Sequence, residues 1–185
     1  DTTVRALHPE ARPRILVSDT VGFIKHLPHD LVASFRSTLD EARAASLLLH
    51  LVDAADPARD EQARITRGVL DEIGAGDVPC LLVLNKADRL GAVERAELAE
   101  SHPGALLISA KDPAGVAAVR RAILDFFATH AIEAELAVPY ARAGLVHDIH
   151  ESAEVVEQSY DDTGVRLRVR AEAAVLERLQ ALLGR

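Results

Sequence analysis

Short apolar runs alternating with helical-period segments organise the chain as far as about residue 130. Leu47-Leu48-Leu49-His50-Leu51-Val52, Cys80-Leu81-Leu82-Val83-Leu84 and Ala105-Leu106-Leu107-Ile108 are rich in Leu and Val and lie between polar residues or beside Pro79. Such runs predict strands buried on both faces. Two more strands are predicted over 4–8 and 14–18, joined by a turn at Pro9-Glu10-Ala11-Arg12-Pro13, with a loop over 19–28. Leu31, Val32, Phe35, Leu39 and Ala42 recur at helical spacing and predict an amphipathic helix over 30–45. Asp56-Pro57 predicts a helix with Pro at its first position, and Gly74 suits its end. Further helices are predicted over 93–100 and 116–127. Strands alternating with helices imply parallel crossovers and a doubly wound α/β sheet.

Beyond about residue 131 the pattern changes. Strands are predicted over 136–140, 155–160 and 165–170, with helices over 144–150 and 173–183. The last two strands flank Asp161-Asp162-Thr163-Gly164, a hairpin loop containing Gly. This is a small α+β module, so two domains are expected, at 1–130 and 131–185.

Composition narrows the class. Hydrophobic residues make up 49% and charged residues 27% of 185, ordinary for a globular protein. No apolar stretch approaches the ~18–20 residues of a membrane span, and no signal peptide opens the chain. The net charge of −8 argues against a broad nucleic-acid surface, and no DNA partner is expected. The single cysteine, Cys80, falls inside a predicted strand, which points to a reducing, cytoplasmic setting. The sequence contains no methionine and opens at Asp1-Thr2-Thr3, which we read as a piece of a longer protein.

Candidate chemistry collects at the strand ends, where ligands of open α/β sheets bind. Asn85-Lys86-Ala87-Asp88 follows the run 80–84. The Asp88 carboxylate can accept two parallel hydrogen bonds, from the ring N–H and exocyclic amine of guanine; adenine offers no such pair. Asn85 would tie neighbouring loops together and the Lys86 stem would lie over the base. The plainer alternative is a polar turn with Asp88 as a helix N-cap. Asp19-Thr20-Val21-Gly22 follows the strand at 14–18. An Asp there can hold Mg²⁺, usually through water, and a Gly lets a backbone N–H approach a terminal phosphate. Ser109-Ala110-Lys111 follows the run 105–108, where loop N–H groups can donate to the guanine carbonyl. Each motif alone is weak. Three in this order, each ending a separate predicted strand, favour a guanine-nucleotide site.

The segment Asp19-Thr20-Val21-Gly22-Phe23-Ile24-Lys25-His26-Leu27-Pro28-His29-Asp30-Leu31-Val32 resembles the second switch region of the HflX family of translational GTPases. Phe35-Arg36-Ser37-Thr38-Leu39-Asp40-Glu41 and Leu49-His50-Leu51-Val52-Asp53-Ala54-Ala55-Asp56-Pro57 continue the likeness, and Val138-Pro139-Tyr140 extends it weakly into the C-terminal module. The resemblance implies a P-loop NTPase-type (Ras-like) G domain, N-terminally truncated and followed by a small α+β domain. It implies GTP binding and hydrolysis with Mg²⁺, and association with the large ribosomal subunit in splitting or rescuing stalled ribosomes. By the same likeness the chain opens in the tail of the first switch, where Thr3, in preference to Thr2, would join Asp19 at Mg²⁺. Phe23 stands where many GTPases carry a polar, water-positioning residue; it has no donor or acceptor, so slow hydrolysis stimulated by a partner is expected.

One departure is large. A P-loop reads G-x-x-x-x-G-K-[ST], and the lysines here are Lys25, Lys86 and Lys111, none preceded by Gly. The segment as it stands is therefore expected to be inactive alone. A second reading, from another class, is a degenerate guanine-binding or protein/RNA adaptor module without GTPase activity. Other GTPase families are disfavoured by Leu27-Pro28-His29. Arg166, Arg168 and Arg170 alternate along one strand as a compact basic stripe, with charge protection of an exposed strand favoured over RNA contact. His147 and His150 are better read as surface residues than as a metal pair.

Overall fold

A computed structural model describes residues 3–8, 14–19 and 36–184. Thr20, Val21, Gly22 and Phe23, together with Thr2, Lys25 and the first part of the helix expected over 30–45, lie outside the described residues. The described chain is mixed α/β. In order it contains β1 (Thr3–Ala6), β2 (Leu16–Asp19), α1 (Arg36–Ala44), β3 (Leu48–Asp53), α2 (Arg59–Glu72), β4 (Cys80–Asn85), α3 (Ala92–Ser101), β5 (Leu106–Leu107) and α4 (Pro113–His130). Then follow β6 (Ile132–Pro139), α5 (Leu145–Ser152), β7 (Glu154–Tyr160), β8 (Gly164–Ala171) and α6 (Ala173–Leu182).

Two compact units emerge, one containing Thr3–Asp19 and Ala122–Arg185, the other reaching to Arg121. In the latter, β3, β4 and β5 form a parallel sheet in that order. The β3–β4 ladder runs unbroken from Leu48↔Cys80 to Asp53↔Asn85, whereas β5 adds only Val83↔Leu106 and Leu84↔Leu107. Helices between consecutive parallel strands supply the crossovers such a sheet requires. One apolar cluster gathers Val52, Ala54, Leu84 and Leu98; another gathers Ala42, Leu70 and Ala75.

The strands are less enclosed than their composition suggests. Among residues of β3 and β4 only Val52, Val83 and Leu84 are buried, and Leu51 is 60% exposed. The reason is positional: among the described residues β3 pairs with β4 alone, so its other edge carries no neighbour. The run at 105–108 likewise yields only the two-residue β5.

Helix starts show a second difference. Asp56 accepts the Ala58 N–H at 2.8 Å and the Gln62 amide at 2.8 Å, forming a side-chain turn that delays α2 until Arg59. Pro57 therefore precedes the helix instead of occupying its first position. The other end follows expectation, with Gly74 at φ 76° just past the last turn.

In the other unit β6, β8 and β7 form an antiparallel sheet with β8 in the middle. Alternation sends Val165, Leu167, Val169 and Ala171 inward against Leu136, Val138, Ile149, Leu176 and Leu179. The opposite face carries the three arginines. Arg166 meets Asp161 at 2.7 Å, Arg168 meets Glu157 at 2.9 Å, and Arg170 meets Glu133 at 2.7 Å. Each arginine thus has a carboxylate partner, so the stripe is charge-compensated. β1 and β2 form a separate antiparallel pair in this unit. They are anchored where the Arg14 N–H donates to Glu151 at 3.3 Å and the two side chains lie 3.6 Å apart.

Leu84 sits in the middle strand at 2% exposure. Leu84→Ala should lower stability by about 2–5 kcal/mol, through lost burial plus the cavity left behind. Urea unfolding followed by circular dichroism checks this, with the midpoint shifting and the slope unchanged.

Candidate functional site

The β3–β4 ladder ends at Asp53↔Asn85, and the site begins there. Asn85 Oδ1 accepts the Lys86 N–H at 2.7 Å and the Ala110 N–H at 2.9 Å. Its side chain thus ties the loop after β4 to the loop after β5, as the sequence suggested. Backbone bonds reinforce the junction: Ile108 N–H donates to Leu84 O, and Ala87 N–H to Ile108 O, both at 2.9 Å. Lys86 takes a left-handed conformation, φ 65°, the only described non-glycine residue with positive φ. A 3₁₀ turn over Ala87–Arg89 follows, with Ala87 buried beneath it.

That turn presents Asp88 to the neighbouring loop. Ser109 Oγ donates to Asp88 Oδ1 at 2.7 Å, and Lys111 Nζ donates to Oδ2 at 3.0 Å. Ser109 first and Lys111 second hold the Asp88 carboxyl below its ordinary value of 3.8. This geometry replaces the N-cap reading. The N-cap of α3 is Gly91, whose N–H donates to Glu94 at 2.7 Å, while Asp88 points across to the other loop. Asp88, Arg95, Ser109, Lys111, Asp112 and Gly115 are among the residues lining a cavity of about 560 Å³.

The Ser109–Lys111 loop is packed tightly from below. A Cβ at Gly115 would lie 2.8 Å from Ser109 O and 3.1 Å from Ile108 Cβ. Only glycine lets the first turn of α4 approach this loop so closely. The Ala110 N–H is donated to Asn85 within the chain.

Sequence reasoning missed Asp53. Its Oδ2 accepts Lys86 Nζ at 2.5 Å, with Arg89 Nη1 at 3.8 Å, and its Oδ1 accepts the Ala55 N–H at 3.1 Å. Lys86, chiefly, holds the Asp53 carboxyl below its usual range. The available signal was a carboxylate ending an apolar strand next to the strand that ends in the motif.

Two residues, Thr3 and Asp19, are nominated for metal. Thr3 and Asp19 are direct register partners of the β1–β2 pair. A hydroxyl and a carboxylate are hard oxygen donors that suit Mg²⁺. Among the described residues no group of three or more His, Cys, Asp or Glu side chains is placed to hold a metal ion. His150 Nε2 lies 3.1 Å from Gln158 Oε1.

The sequence is similar to known proteins. The chain is 57% identical over 183 residues, 99% of its length, to GTPase HflX of Gluconacetobacter diazotrophicus. It is 37% identical over 190 residues to GTPase HflX of Akkermansia muciniphila, and 36% identical over 176 residues to GTPase HflX of Escherichia coli. The chain belongs to the HflX family. It spans 41%, 43% and 41% of those three relatives. No protein-family model matches it.

Two outcomes follow for this site. Because Asp88 titrates below its unfolded value, its contribution to stability is complete above the ordinary carboxylate range and is lost as pH falls through the folded value. Ser109→Ala should therefore raise the Asp88 midpoint toward 3.8, and by more than Lys111→Met does, as read from the carboxyl ¹³C shift. Gly115→Ala should displace the loop and weaken the Ser109–Asp88 contact. An Asp88 midpoint unmoved by Gly115→Ala would contradict the packing account.

Proposed function

We propose that this chain carries the guanine-reading part of a GTP-binding, Ras-like P-loop G domain, with residues 1–130 belonging to that domain and 131–185 to a small C-terminal one. The observation that supports this best is the Asp88 carboxylate, braced by Ser109 and Lys111 in loops that Asn85 ties together. In this reading a guanine donates its ring N–H and amine to Asp88, Asn85 keeps the two loops in register, and the Lys86 stem covers one face of the base. Ser109, Ala110 and Lys111 form the opposing wall. Asp19, Thr20, Val21 and Gly22 serve the phosphate end, and Thr3 with Asp19 would hold Mg²⁺. The chemistry that ion supplies is neutralisation of phosphate charge.

The relatives' printed name, GTPase, supports GTP hydrolysis as the activity of the whole protein, with Phe23 leaving water to be positioned by another group. Family resemblance alone supports a cytoplasmic setting and the large ribosomal subunit as partner, with a role in splitting or rescuing stalled ribosomes. Among the described residues no helix is long and apolar enough to cross a membrane. The compensated arginines of β8 offer no basic stripe for RNA, so any ribosomal contact is read as lying elsewhere.

The sequence contains no P-loop, so the purified chain should bind GTP only weakly and hydrolyse it negligibly; tight binding in a calorimeter would overturn that expectation. Base reading is tested separately by NMR titration with millimolar nucleoside monophosphates. The wild-type chain should prefer GMP to AMP. Asp88→Asn exchanges one acceptor for a donor and should shift preference toward xanthosine monophosphate by about tenfold or more, the scale of one charge-assisted hydrogen bond. An unchanged preference would remove Asp88 from the reading role.

A further inference from the structure

The carboxylate not nominated from the sequence has the closest contact at the site. Asp53 Oδ2 and Lys86 Nζ lie 2.5 Å apart, with side chains 26% and 44% exposed; Lys111, which pairs with Asp88, is 79% exposed. Asp53 is itself rigidly set. It ends β3 directly opposite Asn85, its Oδ1 accepts the Ala55 N–H, its carbonyl accepts the Asp56 N–H at 3.1 Å, and the next residue's N–H donates to Asn85 O at 2.7 Å. Lys86 is therefore fixed at both ends, by a left-handed backbone at one and by a carboxylate on the adjacent strand at the other.

We propose that Asp53 is a positioning residue for base recognition, holding the Lys86 ammonium so that the Lys86 stem forms a fixed apolar rest for the purine face and the ammonium is kept off Asp88. This inference rests on the reading of Asp88 as the guanine acceptor. Two features of the site require such a device. Among the described residues no aromatic lines the cavity at Asp88, so a base resting on them needs some other apolar surface. Lys86 also stands only two residues before Asp88, and an untethered ammonium would compete for the oxygens the base must use. A lysine stem carries substantial rotamer entropy. Anchoring its tip removes that cost before the ligand arrives, the effect of pre-organisation.

The test uses the purified 185-residue chain with GMP and AMP as probes, read by NMR. Asp53→Asn should weaken GMP about five- to tenfold, the scale of one long side chain losing its pre-ordering, weaken AMP less because AMP does not use Asp88, and shift the Lys86 side-chain ammonium resonance. Asp53→Glu, which keeps the charge, should recover at least half of the loss. Lys86→Ala, which leaves the Asp53 turn intact, should lose a similar factor. The double variant should lose no more than either single, since both remove one interaction. A folded Asp53→Asn chain with GMP affinity within twofold of wild type overturns the proposal, as does additive loss in the double variant. A wild-type chain that treats GMP and AMP alike overturns the base-reading assignment itself, and this role with it.

Discussion

The parallel ladder between β3 and β4 is the constraint on which the site depends. Its six register pairs end at Asp53↔Asn85, so a carboxylate and a carboxamide from distant parts of the sequence emerge side by side. The two bonds that cross to Ile108 then carry the same register to the third strand. Nothing about Asn85, Lys86 or Asp88 taken singly defines a binding site. Their usefulness comes from being delivered at one level by strands whose side chains cannot slip by one residue without exposing Leu84 and Val52.

Polar order at the strand ends follows from that frame. Two lysines and two aspartates meet within a few residues, and they are sorted: Lys86 goes to Asp53 and Lys111 goes to Asp88. Exposed ion pairs contribute little by themselves. The Lys111–Asp88 pair, with Lys111 largely in solvent, is easily exchanged for another donor. The Lys86–Asp53 pair is shorter, less exposed and braced by the Ala55 N–H on the carboxylate, so it behaves as part of the scaffold. The same chemistry thus yields one replaceable contact and one permanent one, and exposure is what separates them.

Much of this was legible in the sequence because it follows from short-range pattern. The strands at 48–53 and 80–85, the helices between them, and the β7–β8 hairpin all announce themselves through periodicity and turn residues. The Asn85 tie between loops follows from chemistry that any polar strand end in this position would need. What escaped depends on neighbours that the local pattern does not contain. Whether a Leu- and Val-rich run is enclosed on both faces depends on which strands flank it, hence Leu51 in the open. Pro57 satisfied the rule for a helix start, but the side chain of Asp56 captured the nearby donors first. The arginines of β8 read as a basic stripe only while the acidic residues of β7, β6 and the hairpin were unplaced. Asp53 looked like an ordinary strand end because its partner lies thirty-three residues away in the sequence.

Affinity arithmetic explains why reading a base and gripping a nucleotide are separable. A carboxylate accepting two hydrogen bonds from guanine contributes on the order of 1.5–3 kcal/mol per charge-assisted bond. Association costs an estimated 4–15 kcal/mol in lost translational and rotational freedom before any contact is made. Stacking on a pre-ordered lysine stem narrows that gap without closing it, so base contacts alone bind weakly. Phosphate contacts must supply the remainder of any tight binding. The base loops then act mainly through the difference between guanine and its competitors, a quantity that survives even where absolute affinity is poor. That difference depends on Asp88 presenting both oxygens in a fixed plane. A carboxylate held by Ser109 on one side and by a largely exposed lysine on the other meets that requirement better than one buried in a permanent ion pair.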